Sequence, residues 1–150
     1  MKYQELIKEV EGVGKLELSE QEEFYRNVLN ESSNDLEVMV AATFYLGMAY
    51  YYEGNFKKSK EIIEPIILQY QSMPFVRELI SAFNLMGVML YYDGANVSSR
   101  YYYEKALQIA MEHEDVGHYC YEYNNISITY AKQEKYEEAL DSILKAKEYM

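Results

Sequence analysis

The chain has 150 residues, enough for one domain whose core buries roughly two-thirds of the unfolded chain's surface. Its formal net charge is -11, with 25 Asp and Glu against 14 Lys and Arg. Affinity for nucleic acids and for acidic lipids comes largely from Lys and Arg, so this charge argues against both kinds of partner. The sequence contains no run of about 18 apolar residues, which also argues against a membrane span.

A single cysteine, Cys120, cannot form an intramolecular disulfide. The N-terminus carries no apolar signal region. Together these features favour a reduced protein located in the cytoplasm. We expect Cys120 to be a buried, small apolar residue, because it lacks a basic neighbour that would activate the thiol.

Residues 1–33 predict a helical hairpin. An apolar stripe with helical spacing runs from Tyr3 to Val10 and indicates the first helix. The second helix is predicted from Ser19 and Glu22, whose spacing is that of a capping box.

The next two helices are predicted from caps and turn residues. Asn34, with Glu37 as its reciprocal partner, predicts the start of a helix that ends at Gly54. The return helix is expected to begin at or next to Asn55. Pro65 lies inside this helix and should kink it or begin a break just before the proline.

Four further helices complete the prediction. Pro74 is expected to open the fifth helix, because its missing N–H is harmless in a first turn. The sixth and seventh are predicted at about 96–111 and 116–132, and the eighth from about Tyr136. At the corner before the eighth helix, Glu134 takes the place that glycine holds in the earlier hairpins.

One pattern recurs along the chain at a fixed interval, with a 40-residue period. Its three occurrences are Leu46-Gly47 with Tyr50, Gly54 and Ser59; Met86-Gly87 with Leu90, Gly94 and Ser99; and Ile126-Ser127 with Tyr130, Glu134 and Ala139. A constant period of 20 to 50 residues is typical of stacked-repeat proteins. We therefore predict an all-α fold, an α-solenoid of antiparallel helix hairpins with about eight helices. The predicted organisation is a single domain over 1–150, with a degenerate capping hairpin at 1–33 and repeats at about 34–73, 74–113 and 114–150.

The repeated pattern resembles the tetratricopeptide repeat, in which Leu-Gly and a following Tyr on the first helix meet small residues on the second. The stretch from Tyr130 to Leu140 is the most similar to the family. The chain departs from it in its 40-residue period, where a period of about 34 is commonest, and in lacking the proline that ends each unit. The longer period resembles the extended repeats of bacterial signalling proteins. The resemblance implies a scaffold that binds a protein or peptide and acts as a regulatory module.

The resemblance also implies a partner groove, because the first helix of each hairpin lines the concave face in this family. The residues it places there are Phe44, Met48, Tyr51, Tyr52, Asn84, Val88, Tyr91, Tyr92, Tyr121, Asn124 and Ile128, followed by Ala131 and Lys132. Tyrosine rings and side-chain amides suit the side chains and backbone of an extended peptide. The same tyrosines could instead pack against a neighbouring repeat.

A second surface is predicted on the eighth helix. Ile143 and Leu144, with Met150 beyond them, form an apolar face that a further repeat would cover in a solenoid. We expect this face to form a homodimer interface or to mark a continuation into a further domain.

No catalytic, cofactor-binding or metal-binding pattern is found. His113 and His118 have acidic neighbours, but their spacing does not suit one helical face, so we interpret this segment as a solvated loop. We predict a protein that is not an enzyme and needs no cofactor. The alternative function is a structural module that dimerises or spaces an attached output domain such as a kinase or a nucleotide cyclase; an enzyme would require a site that the sequence does not reveal.

Overall fold

The computed structural model describes residues 1–150 and contains eight α-helices, one short 3-10 helix and no strands. The helices are α1 (Tyr3–Val13), α2 (Leu18–Glu31), α3 (Leu36–Tyr52), α4 (Phe56–Leu68), α5 (Arg77–Tyr92), α6 (Asn96–Glu112), α7 (Gly117–Lys132) and α8 (Tyr136–Glu148), with the 3-10 helix at Tyr70–Ser72. Within each unit of the chain helices pack on their neighbours in sequence, namely α1 on α2, α2 on α3, α3 on α4, α6 on α7 and α7 on α8. The predicted all-α fold, an α-solenoid of about eight helices, is confirmed.

The chain divides into two compact units. The first is Met1–Ala82 and the second is Phe83–Met150, so the boundary falls within α5. In the first unit, a core of eight residues joins the first three helices: Leu6, Val13, Tyr25, Val28, Val38, Ala41, Ala42 and Leu46. In the second unit, Tyr103 and Leu107 of α6 pack with Ile126 of α7.

Two hairpins are closed by the same contact between their helices. In the α3–α4 hairpin, the Ser59 hydroxyl donates a hydrogen bond of 2.7 Å to the carbonyl oxygen of Gly47. One period later, Ser99 of α6 donates an equivalent bond of 2.7 Å to Gly87 of α5. A Cβ at Gly47 would lie 2.5 Å from a methyl carbon of Ile63, so the close approach of the helices requires glycine.

The corners of three hairpins share one backbone conformation. Gly54, Gly94 and Glu134 have φ angles of 80°, 83° and 61°, all in the left-handed region. The residue after each corner donates a hydrogen bond to a carbonyl five residues earlier, as in a Schellman motif; these bonds are Asn55 to Tyr50, Ala95 to Leu90 and Lys135 to Tyr130. Glu134 therefore does occupy the position of a corner glycine.

Two of the predicted helix caps are wrong by one or two residues. Ser19 lies inside α2, whose N-cap is Glu17. Asp35, rather than Asn34, caps α3 by accepting a hydrogen bond of 3.3 Å from the Val38 N–H. The predicted start of α4 at or next to Asn55 is confirmed, and the Asn55 side chain caps the helix by accepting from the Lys58 N–H at 3.1 Å.

The prediction for Pro74 is wrong, and the prediction for Pro65 is confirmed only in its position inside the helix. Pro74 does not open α5, which begins at Arg77. The helix starts later because Val76 is buried and its carbonyl oxygen accepts the Leu79 N–H, forming the first turn around Arg77. Pro65 does lie inside α4, but the helix runs on to Leu68 without a break. The proline is on the exposed side of the helix, so its ring does not disturb the buried face.

Candidate functional site

The predicted groove residues differ in how far they are exposed. Five are exposed, namely Tyr52, Tyr92, Tyr121, Asn124 and Ile128, and so are Ala131 and Lys132. Four are half-buried, namely Met48, Tyr51, Val88 and Tyr91. Phe44 and Asn84 are buried, so their side chains are not exposed to a partner.

Two tyrosine pairs lie at equivalent places, each at the C-terminal end of the first helix of a hairpin. In α3, the Tyr51 and Tyr52 rings meet edge to face with centroids 5.5 Å apart. In α5, Tyr91 and Tyr92 meet in the same way at 5.8 Å. The second ring of each pair is largely exposed, 76% for Tyr52 and 64% for Tyr92. Each pair thus presents one aromatic ring to solvent on a helix that packing holds in place.

The half-buried member of the first pair also has a structural contact. The Tyr51 ring stacks on Phe56 of α4, with centroids 5.3 Å apart and an angle of 13° between the ring planes. This contact joins α3 to α4 across the corner at Gly54. Tyr51 therefore helps to hold the hairpin together, while Tyr52 is the ring that faces outward.

Asn84 has a hydrogen bond in the interior of the second unit. Its side-chain amide donates to Oε1 of Glu122 on α7 at 2.6 Å. Glu122 is fully buried, and its other carboxyl oxygen has no hydrogen-bond partner. Burial raises the pKa of Glu122 to about 8, although the hydrogen bond from Asn84 lowers it.

Sequence reasoning missed Glu122, but the repeat contains a signal for it. Counting back by the 40-residue period, Glu122 falls at the position of Ala82 and Ala42, both of which are completely buried. An acidic residue at a position that holds alanine twice is therefore expected to be buried. Its partner Asn84 could not be identified in this way, because the period says nothing about which side chains meet across two helices.

A second polar cluster in the first unit was also missed. The carboxylate of Glu78 accepts hydrogen bonds from the hydroxyls of Tyr3 at 2.6 Å and Tyr45 at 2.7 Å. Burial, together with the hydrogen bonds to Glu78, raises the pKa of both tyrosines. The cluster ties α1 and α3 to the beginning of α5 and gives these two tyrosines a structural role.

Each unit also has a groove that was not predicted. The groove in the first unit, about 450 Å³, lies along α2, α3 and α4 and includes Thr43 and Leu46. The groove in the second unit, about 470 Å³, lies along α6, α7 and α8 and includes Tyr123 and Ile126, which are the repeat equivalents of those two residues. The second groove is the more acidic, with Glu104, Glu137, Glu138 and Asp141 in its lining.

The histidines and the cysteine do not belong to a metal-binding cluster. No group of three or more His, Cys, Asp and Glu side chains is placed to hold a metal ion. Nδ1 of His118 lies 3.2 Å from Oδ2 of Asp115, an i,i+3 contact at the start of α7. Cys120 is half-buried rather than buried as predicted, because it lies in the first turn of α7 close to the exposed loop.

The apolar residues predicted on α8 are exposed. Ile143, Leu144 and Met150 all face solvent, and Tyr136 and Leu140 on the same helix do so as well. The opposite side of α8 is anchored by the buried residues Ala139, Ser142 and Ala146.

A comparison with protein families matches residues 123–148, which cover most of α7 and all of α8, to a family model. The model is that of the tetratricopeptide repeat. The predicted resemblance to the tetratricopeptide repeat family is confirmed, and the matched residues include the stretch from Tyr130 to Leu140 that the sequence pattern placed closest to the family. A comparison with curated proteins finds no match.

The tetratricopeptide repeat is typically a non-enzymatic scaffold for interactions between proteins. The α3–α4 and α5–α6 hairpins turn with the same backbone conformation as the matched repeat, with Gly54 and Gly94 at the position of Glu134. These two hairpins also have the same hydrogen bond from a serine to a glycine carbonyl.

No helix is both long enough and apolar enough to cross a membrane.

Proposed function

We propose that this protein is a tetratricopeptide-repeat scaffold that binds a protein or peptide partner through the exposed faces of α3, α5 and α7. The observation that carries the proposal is the pair of exposed tyrosines, Tyr52 and Tyr92, at equivalent places in successive hairpins. Tyrosine contributes strongly to binding energy because its rigid ring buries a large area at low entropic cost.

Other residues of the predicted groove support a partner that is apolar and able to form hydrogen bonds. Tyr121 and Ile128 are exposed on α7, and Asn124 lies exposed between them. An exposed amide of this kind hydrogen-bonds the backbone of an extended peptide. Lys132 is the exposed basic residue of the predicted set, so the proposed partner is not an acidic chain terminus, which would need several cations.

The proposal also includes the cellular role that the repeat period favours. A 40-residue period resembles the extended repeats of bacterial signalling proteins, and we assign the chain a regulatory or adaptor role in the cytoplasm. The alternative is a spacer or dimerisation module for an output domain. The apolar face of α8 favours dimerisation, which is considered separately below.

The test is a selection of short random peptides displayed on phage, with the whole chain as the target. The peptides selected are then measured by fluorescence polarisation against the wild type and the double variant Tyr52→Ala/Tyr92→Ala. We expect the double variant to bind at least about tenfold more weakly, since truncating an important interface tyrosine costs more than about 1.4 kcal/mol.

The matched control is Tyr101→Ala, which removes an exposed tyrosine from α6. This variant should bind like the wild type, and circular dichroism should show unchanged helicity in all variants. Peptides that bind the double variant as tightly as the wild type would place the partner on another surface. A selection that yields no peptide would contradict peptide binding itself.

A further inference from the structure

The exposed apolar residues of α8 form one stripe along the helix. Tyr136, Leu140, Ile143 and Leu144 have helical spacing, and between 47% and 65% of each is exposed. Four large apolar side chains on one helix face form an exposed patch of the kind that marks an interaction site.

The equivalent stripe on α6 shows what such a face contacts. Tyr103, one period before Ile143, is buried against Ile126 of α7. Arg100, one period before Leu140, is buried and donates hydrogen bonds to Thr129 and Gln133. In α6 the part of this face around Arg100 and Tyr103 therefore packs against another helix, while Glu104, one period before Leu144, is exposed. The same face of α8 has the geometry to pack against a helix but is exposed.

The lysines of α8 lie in its last turn, and two of its acidic residues lie in its first turn. Glu137 and Glu138 lie in the first turn, and Lys145 and Lys147 lie in the last turn together with Glu148. Lys145 already pairs with Asp141 at 3.1 Å, which leaves Lys147 as the lysine available to a partner. This order favours the helix by complementing its macrodipole. It also makes the helix complementary in charge to a second copy of itself that runs in the opposite direction.

We propose that α8 forms an antiparallel pair with α8 of a second copy of this chain, about a two-fold axis at the level of Ser142. Leu140 and Leu144 lie two residues on either side of Ser142, so Leu140 of one copy meets Leu144 of the other. Glu137 and Lys147 lie five residues on either side, so each acidic residue lies opposite the lysine of the other copy. The apolar stripe supplies the contact area, and the charges set the direction and the register.

The charge pattern favours a second copy over another occupant. A two-fold interface places the same surface on both partners, and this surface must then be complementary to itself. The positions of Glu137 and Lys147 meet that requirement in the antiparallel direction, whereas a parallel pair would bring Glu137 next to Glu137. The proposal does not depend on the tyrosine pairs, so its failure and that of peptide binding can be told apart.

The contact is small, because the stripe from Tyr136 to Leu144 extends over only about 12 Å of helix. Its area is below that of a standard stable interface, about 1,600 Å² in total. The dimer is therefore expected to form in the micromolar range and to dissociate on dilution.

The first experiment is sedimentation velocity of the whole chain at low salt over a range of micromolar concentrations. The mass should rise with concentration from the 17.7 kDa of the monomer towards twice that value. The variant Leu140→Glu/Leu144→Glu should stay monomeric because it places charges in the stripe. Val97→Glu, which changes an exposed valine of α6, should dimerise like the wild type.

The second experiment tests direction and register with charge reversal. Glu137→Lys alone and Lys147→Glu alone should each weaken dimerisation about tenfold, since each places like charges opposite each other twice. An equal mixture of these two single variants should associate again, because each then supplies the charge that the other needs. Circular dichroism of each variant checks that α8 remains folded.

Three results would overturn the proposal. The first is a monomer at every concentration with an intact α8. The second is dimerisation that survives Leu140→Glu/Leu144→Glu, which would assign the interface to another surface. The third is a mixture of the two single variants that associates no better than either alone, which would rule out the antiparallel register.

Discussion

Glu122 combines complete burial with an unpartnered carboxyl oxygen, and this environment favours the protonated acid. Oε1 accepts the hydrogen bond from Asn84, and Oε2 has no hydrogen-bond donor that would stabilise a negative charge. Desolvation is the main cause of the raised pKa, as expected for a carboxyl group that is removed from water without a cation beside it. At the scale of a single residue, the stability of the second unit is thereby linked to pH.

We predict that the free energy of unfolding falls as the pH rises from about 4.5 to about 8. In this window the folded chain keeps the proton on Glu122, whose pKa is about 8, while the unfolded chain, with the ordinary value of 4.5, loses it. The contribution of protonated Glu122 to the free energy of unfolding is fully present below pH 4.5. It falls by up to about 1.4 kcal/mol per pH unit as the pH approaches 8. Glu122→Gln keeps the shape of the side chain without the titration, so its stability should fall less over this range.

Urea unfolding at pH 5 and pH 8, followed by circular dichroism, measures this difference. Glu64→Gln, at an exposed position of α4, is the control and should keep the pH dependence of the wild type. An equal pH dependence of Glu122→Gln and the wild type would show that Glu122 does not titrate in this window.

At the scale of helix pairs, Gly47 and Gly87 decide how closely the two helices of a hairpin approach. A Cβ at Gly87 would lie 2.7 Å from the Tyr103 ring and 3.2 Å from the carbonyl oxygen of Ser99. We predict that Gly47→Ala and Gly87→Ala each lower the free energy of unfolding by about 1–3 kcal/mol, because the added methyl group forces the helices apart.

Gly12 provides the matched control for this prediction. It lies inside α1, and a Cβ there would have no atom within 4 Å. Gly12→Ala should raise the free energy of unfolding by up to about 1 kcal/mol, since alanine is the better helix former. Chemical unfolding of all three variants measures these changes in the free energy of unfolding. A loss of stability in Gly12→Ala equal to that of the other two would refute the steric explanation.

The corner between α7 and α8 is strained at Glu134, which has a φ of 61° where the earlier corners have glycine. A left-handed backbone conformation destabilises a residue with a Cβ by about 1–2 kcal/mol. Glycine avoids this strain but loses more chain entropy on folding, so replacing the residue with glycine stabilises the protein by only part of that amount. We predict that Glu134→Gly raises the thermal unfolding midpoint, while Gly54→Ala and Gly94→Ala lower it. An unchanged or lower midpoint for Glu134→Gly would show that the glutamate side chain contributes a contact that offsets the strain.

Most of the elements could be predicted from the sequence, but not all of their ends. The start of α4 at or next to Asn55 was correctly predicted, and the Asn55 side chain is the local group that accepts an N–H of the first turn. The beginning of α5 was predicted wrongly because burial of Val76, a tertiary effect, outweighed the local preference of Pro74 for a first turn. Neighbouring residues indicated where a helix starts to within one or two positions, as at Ser19 and Asn34, whereas packing could not be derived from them.

At the scale of the whole molecule, the net charge of -11 acts against the folded state through self-repulsion. We predict that raising NaCl from about 20 mM to about 0.5 M raises the thermal unfolding midpoint, because salt screens this repulsion. A variant that replaces the exposed residues Glu23, Glu31 and Glu53 with glutamine should show a smaller rise. A midpoint that falls with salt would mean that favourable charge pairs outweigh the repulsion.

Patterns in the sequence were enough to predict the fold class, the number of helices and the corners at Gly54, Gly94 and Glu134. These features follow from patterns along the chain, namely helical spacing of apolar residues and small residues at fixed intervals. The tertiary structure alone decided that Phe44 and Asn84 are buried, that Asn84 meets Glu122, and that Tyr52 and Tyr92 face outward. Exposure depends on which helix packs on which face and how far each side chain reaches, and neither is encoded in the repeat interval.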